Sequence, residues 1–433
     1  MRRMSRPGRG DRGAVAIIVA MLFGFGVMIG AAALTIDVGR INLDRRQLQN
    51  GADAAALSAA QDCIKTACPN KGVTADMDRL RALADGNAGA DQASAIARVD
   101  GKLALCGTPT VKNATGLDVA TGLTACDVPA NSSNLQECPT PKLPSDSFPG
   151  ATETPYLRVY AQTLNAAKTQ TLLPYTFGAA IAGAGSGANQ QACASVAWGP
   201  VGQYTASVPI TISLCMFDAM VASYGGNLPP APDSTWPGYG TGHTSAWPSS
   251  AAEQIEYTTK YAGNCDNSNG HAANGSFGWL TNTNCQVSVT SGKWINGNPG
   301  NNFECPDLYK YWGTTVNLPI FDCVVDSHDD PGAPPAAGSV CAIPSSGGSN
   351  IWYHIRGWAS FYLSGYRFPG NAGADTTPNV ASATKVSLLS NTAPCGQPAS
   401  CLSGWLTKGE TSAAPIGIPG TPDYGLKGLQ VVG

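Results

Sequence analysis

Residues Ala14 to Ile36 are 23 positions without a charge, and Thr35 is the one clearly polar side chain among them. A helix of that length rises about 35 Å, against about 30 Å for the hydrocarbon core of a bilayer. The pattern therefore predicts a transmembrane helix over 14–36. Beyond it the apolar positions keep helical spacing: Leu34, Val38, Ile41, Leu48, Ala52, Ala55 and Ala59 step by three, four or seven and fall on one face. Arg40, Asp44, Arg45, Arg46, Gln47 and Asp53 lie on the opposite face. The helix is expected to continue as an amphipathic stalk over 37–67 and to end near Cys63–Cys68. Gly51 weakens it locally, by about 1 kcal/mol relative to Ala.

Farther on, Met77, Leu80 and Leu83/Ala84 predict a second helix from Thr74 to about Ala84, with Asp76 and Asp78 in its first turn. Ile96 to Leu105 reads as extended, and residues 107–152 as a disulfide-stapled loop. Leu157, Val159 and Ala161 alternate with Arg158, Tyr160 and Gln162, the pattern of a half-buried strand, and 192–200 supplies another. From about 205 the texture is all-β. Val208, Ile210, Ile212 and Leu214 alternate strictly. Ile351, Tyr353, Ile355, Gly357, Ala359, Phe361 and Leu363 do the same, with Gly357 marking a bulge or bend. Segments 225–300 and 326–350 read as long loops.

The fold class that follows is α+β: a single N-terminal transmembrane helix extended into a stalk, a small α+β domain, then a β-rich disulfide-bonded domain. Its expected divisions are a basic tail (1–13), the span (14–36), the stalk (37–67), the α+β domain (68–204) and the β-rich domain (205–433).

Charge sets the expected orientation. Arg2, Arg3, Arg6, Arg9 and Arg12 precede the span against Asp11 alone, and such a flank is retained in the cytoplasm. The expected localisation is a single-pass cell-membrane protein with its N-terminus inside and the bulk of the chain extracytoplasmic. The rival reading is a cleaved secretory signal, with Ala31-Ala32-Ala33 as the small-residue site. All 14 cysteines fall after the span, an even set that reads as disulfides in an oxidising compartment. The close pairs Cys63/Cys68 and Cys395/Cys401 are the candidates for local bridges; the former needs the helix to end between its members. Paired C-x2-C knuckles of a zinc site are missing. A net charge of −3 gives no basic surface for nucleic acid.

The block from Arg12 to Gln61 resembles the N-terminal region of the TadE/TadG-like proteins of the Flp (tight-adherence) pilus assembly system. The resemblance rests on Arg12-Gly13 before the span, Asp37-Val38-Gly39-Arg40 at its outer edge, Arg46-Gln47-Leu48-Gln49-Asn50 on the stalk and Ala52-Asp53-Ala54-Ala55-Ala56-Leu57 beyond. Looser similarity follows at Asn87-Ala88, at Val208 to Ser213 with Cys215, and at Cys401 to Trp405. The resemblance implies a membrane-anchored component of a pilus or secretion machine, with assembly proteins as partners. Two departures bear on what carries over. Type IV prepilins present a Glu five residues after the processed glycine, where Gly13 leads to Ile18 and Gly10 to Val15. The Asp-x-Ser-x-Ser site of a von Willebrand A domain, carried by larger TadG-like proteins, is also absent from the sequence.

Candidate chemistry is sparse. Gly26 and Gly30 form a G-x-x-x-G that lets a second membrane helix approach closely. Asp37 and Arg40 sit at the membrane edge, as an ionic contact in an assembly or as a plain interfacial pair. Asp326-Ser327-His328-Asp329-Asp330 and Asp266-Asn267-Ser268-Asn269-Gly270 read as polar turns before metal sites. His354 falls on the polar phase of its strand. With G-x-S-x-G, H-E-x-x-H and P-loop motifs missing, the expectation is a protein without catalytic, cofactor or metal sites. The alternative is an exported surface binding or adhesion protein that uses Trp/Tyr-rich loops near 236–312.

Overall fold

The computed structural model describes residues 12–70, 74–87, 94–95, 105–112, 118–126, 141–147, 154–163, 173–174, 187–188, 191–229, 253–256, 277–298, 305–326, 351–368, 382–388, 393–395, 400–412, 415–416, 418 and 421–432. Helix α1 (Arg12–Lys65) is unbroken over 54 residues, about 80 Å at 1.5 Å per residue. It stops where Pro69 follows and Cys63 bridges Cys68, so the chain leaves the helix between the two cysteines. Lys65 in its last turn suits the negative end of the dipole. Helix α2 (Thr74–Asn87) folds back alongside, with Asp76 in its first turn accepting from the Asn70 N–H at 2.9 Å.

The strands fall in chain order as β1 (Ser94–Ala95), β2 (Leu105–Gly107), β3 (Thr110–Lys112), β4 (Asp118–Ala120), β5 (Tyr156–Thr163), β6 (Leu173–Pro174) and β7 (Gly187–Ala188). They continue as β8 (Gln191–Pro200), β9 (Gln203–Ala206) and β10 (Ile210–Ser213), followed by helix α3 (Leu214–Ser223). Then come β11 (Glu253–Glu256), β12 (Phe277–Leu280), β13 (Val287–Thr290), β14 (Lys293–Asn298), β15 (Thr314–Asp326) and β16 (Ile351–Arg367). The last are β17 (Thr384–Lys385), β18 (Cys401–Thr407), β19 (Gly409–Thr411) and β20 (Leu426–Val431).

The first sheet has the order β1-β5-β8-β20-β19, with β2 also on β5. Its closing strands come from the far end of the chain: β20 runs antiparallel to β8, pairing Leu429 with Trp198. Helices α1 and α2 cover one face. Leu48, Ala52, Ala55, Ala56, Ala59, Ala60 and Ile64 are buried there against Leu80, Leu157, Val159, Ala194, Val196 and Leu429. Alanine at five of these positions lets the helix axis lie close to the sheet, because at those positions the helix itself contributes nothing longer than a methyl. Ala197, Ile416 and Val432 fill the other face.

The second sheet has the order β11-β18-β16-β14-β12-β10-β15, and β15 pairs again with β16. The circuit β16-β14-β12-β10-β15 therefore closes into a five-stranded barrel. Five strands in a ring cannot all alternate in direction, and the required parallel pair is β10 with β15, Ile212 opposite Ile320. One face of these strands, Ile210, Ile212, Phe277, Trp279, Leu318 and Ile320, packs on Met216, Phe217 and Met220 of α3. The other, Leu280, Phe321, Val324, Tyr353 and Ile355, packs with Val287 and Val289 of the antiparallel β9–β13 pair. The Tyr353 ring lies over Gly278 and Gly297, where a Cβ on either glycine would run into it.

The structure corrects several local expectations. Leu34 and Val38 are exposed, and the buried stripe instead runs up the helix through Asp44 and Asp37, both 6% exposed, so Asp44 is not on a solvated face. Alternation through Leu214 predicts strand, but Ser213 caps α3: its hydroxyl accepts from the Met216 N–H at 3.2 Å, turning the chain into a helix. Segment 225–300 contains β11 to β14, and 107–152 contains the β3–β4 hairpin and the Cys106–Cys126 bridge. Residues 96–104 of the expected extended segment lie outside the described residues.

Candidate functional site

The feature built most completely is the joint between the apolar helix and the folded body. From Ala16 onward α1 is long and apolar enough to cross a membrane, and none of its apolar window is buried. Ile17, Met21, Phe23, Phe25, Val27, Met28 and Ile29 are all more than half exposed. Such a surface has no place in water and fits hydrocarbon. Without interruption the same helix then becomes the core element of the first sheet.

Polar contacts fix the docked half. Gln49 Nε2 donates to the Cys193 carbonyl at 2.8 Å and to Asp53 Oδ1 at 2.9 Å, tying the helix to β8. Arg79 of α2 pairs with Asp62 and donates to Ser58 Oγ at 2.8 Å. At the end of the helix, Lys65 Nζ lies 2.9 Å from Glu410 Oε1, and Lys408 Nζ donates to the Lys65 carbonyl at 3.3 Å. Burial, with Lys427 nearby, holds the Lys408 ammonium below the usual lysine range. These clamps come from β8, α2 and the β18–β19 turn, so three separate segments grip one helix. Sequence periodicity finds the stripe but not the clamps, whose partners lie from 17 to more than 340 residues away.

The residues singled out from the sequence are placed as follows. A Cβ at Gly26 or at Gly30 would meet nothing within 4 Å, so their face is open in the single chain. Asp37 is buried and Arg40 exposed, and neither is without a partner. Cys395 bridges Cys401, as Cys63 does Cys68, and Cys285 bridges Cys305. Cys193, Cys215 and Cys323 are also disulfide-bonded, and no described cysteine is free. Cys138, Cys265 and Cys341 lie outside the described residues, as do residues 1–11, 266–270 and 327–330. Among the described residues no group of three His, Cys, Asp or Glu side chains could hold a metal.

An unburied bilayer-length helix that becomes, in one piece, the docking helix of a disulfide-bonded body defines a membrane-anchored protein whose anchor and body share a single rod. Residues 13–62 match the model of a family described as putative Flp pilus-assembly TadE/G-like. The similarity to that family covers the N-terminal region, and the match ends three residues before α1 does. No curated protein and no solved structure matches the chain.

Proposed function

We propose that the chain is a non-catalytic component of a Flp/Tad-type pilus or secretion assembly, anchored by α1 with its N-terminus in the cytoplasm. Its two sheets act outside through contacts with pilus or envelope proteins. The observation that carries this reading is the coincidence of the family match with the whole functional length of α1. The matched residues include both the apolar window and the alanine stripe that docks on the first sheet. A module that combines anchor and docking helix suits a protein that holds an extracytoplasmic body at a fixed distance from the membrane. Bridged cysteines agree with an oxidising compartment. The arginine flank of the sequence supports the orientation.

Deletion of the gene tests the reading. Loss of assembled pili or of secretion, restored by the full chain but not by a chain lacking residues 14–36, is the expected result. Normal piliation with loss of attachment to a surface would replace it with the adhesion reading. A protease-protection assay in intact cells checks orientation: the region after residue 70 should be cleaved from outside the cytoplasmic membrane.

A further inference from the structure

Two register shifts fall close together in the β15–β16 pairing. Ile320 pairs with Gly357, Phe321 with Ile355 and Cys323 with His354, leaving Arg356 and Asp322 without a residue opposite. Bulges re-aim side chains, and here the two displaced residues meet. Arg356 Nη1 lies 3.5 Å from Asp322 Oδ2, and the other carboxylate oxygen is 2.6 Å from His354 Nδ1. The Asp322 side chain is 7% exposed, whereas His354 keeps 24% and Arg356 47% of their surface. Across the strand from His354 stands Trp294 of β14, with ring centroids 5.1 Å apart. Trp352 shares that face of β16, two residues before His354. It is buried, and among the described residues its indole N–H, itself out of reach of solvent, has no hydrogen-bond partner.

The hydrogen-bonding character of the patch follows from Asp322. A buried carboxylate accepts only, so it fixes the proton of the neutral imidazole on Nδ1 and leaves a lone pair on Nε2. Among the described residues nothing hydrogen-bonds to Nε2. The face therefore offers one outward acceptor on His354, the Arg356 donors not taken up by Asp322 and Tyr424, and the Trp294 indole as a wall, while the Trp352 N–H is buried beneath it. An anion gains Arg356 but meets the Asp322 charge and the Nε2 lone pair. A cation meets Arg356. A neutral group that both donates and accepts satisfies every member, and the hydroxyl is that group. A ligand with several hydroxyls and an apolar C–H face for the indole is a saccharide.

We propose that Trp294, His354 and Arg356, with Asp322 as the residue that positions the imidazole, form a binding site for a neutral oligosaccharide. This goes beyond the assembly role and does not depend on it. The test uses the full chain in lipid nanodiscs, which avoid sugar-headed detergents. The ligands are the neutral hexasaccharides of glucose and of N-acetylglucosamine, in both α- and β-linked glucose forms, with hexagalacturonate as the acidic control. Calorimetry should give a Kd of about 1 mM or tighter for at least one neutral ligand. The same ligand should shield His354 from acylation by diethylpyrocarbonate, read by peptide mass. His354→Gln and Trp294→Ala should each weaken binding about tenfold. Asp322→Asn, which frees the tautomer, should weaken it while leaving the ring in place. His354→Gln, at a partly exposed position, decides the matter if Trp294→Ala fails to fold. No binding by any neutral ligand at ten times that concentration, binding of the acidic hexamer alone, or binding unchanged in His354→Gln with an unaltered melting curve would each overturn the assignment.

Discussion

Gly51 is the sharpest place to test the joint between α1 and α2. A Cβ built there would lie 2.7 Å from the carbonyl oxygen of Ala84, 3.3 Å from its Cα and 3.4 Å from its carbonyl carbon. All three atoms are backbone, so no side chain can swing aside. Gly51→Ala has two opposing effects. Helix propensity favours Ala by about 1 kcal/mol. Overpacking against a fixed backbone costs about 1–3 kcal/mol. The expected net result is a loss of about 1 kcal/mol at the α1–α2 contact, about a fivefold faster opening of α2. Hydrogen exchange of the α2 amides by mass spectrometry reads that opening directly. Gly39→Ala is the control, because a Cβ there meets nothing within 4 Å and α2 exchange should not change. Slower or unaltered exchange in Gly51→Ala would refute the close approach and return Gly51 to the role of a weak point in an isolated helix.

Three further outcomes are expected. Gly278→Ala and Gly297→Ala should each destabilise the barrel by about 1–3 kcal/mol in urea titrations, and Tyr353→Leu in the same chain should recover part of the loss; equal losses with and without Tyr353 would refute the seat. Burial pushes the Tyr424 hydroxyl from 10.0 up to about 12, so its contribution to stability is intact below pH 10 and is lost as pH rises through 12. Tyr424→Phe should flatten that alkaline fall and remove one late step from the phenolate absorbance titration. Removing the Cys285–Cys305 bridge, which closes a separation of 20 residues between two buried ends, should cost about 3 kcal/mol. Before reduction, alkylation should label none of the described cysteines, and six or more labelled cysteines in the chain would sink the disulfide framework.

Much of the architecture is legible along the chain because its signal is periodic and local. The 23 uncharged positions and the alanine stripe read as one long helix, and the alternation over Tyr156–Thr163 and Ile351–Arg367 reads as strand. Strands β12 and β14 are lost for a physical reason. Their glycines, Gly278 and Gly297, look like loop residues by composition but serve as the floor under the Tyr353 ring. Helix α3 is lost because alternating Val208, Ile210 and Ile212 run directly into its cap, and Ser213 carries the stop signal that periodicity alone ignores. Asp44 is buried on the stalk although a carboxylate looks exposed on any helical wheel until its neighbours are known. The Asp322–His354 contact spans 32 residues and two bulges, and no spacing rule reports it.

The place of β20 has a consequence for how the chain is made. The edge of β8 stays open, and the clamp of Glu410 and Lys408 on the end of α1 is missing, until residues 408–431 have been delivered to the same side as α1's docked half. The helix is made before the strands that close the sheet receiving its extension. A product interrupted anywhere before β19 would sit in the membrane with an unfinished sheet and an exposed strand edge, the state that proteases recognise and complete chains escape. Closure by β19 and β20 thus acts as an inspection step: a chain that lacks either strand cannot present a finished sheet.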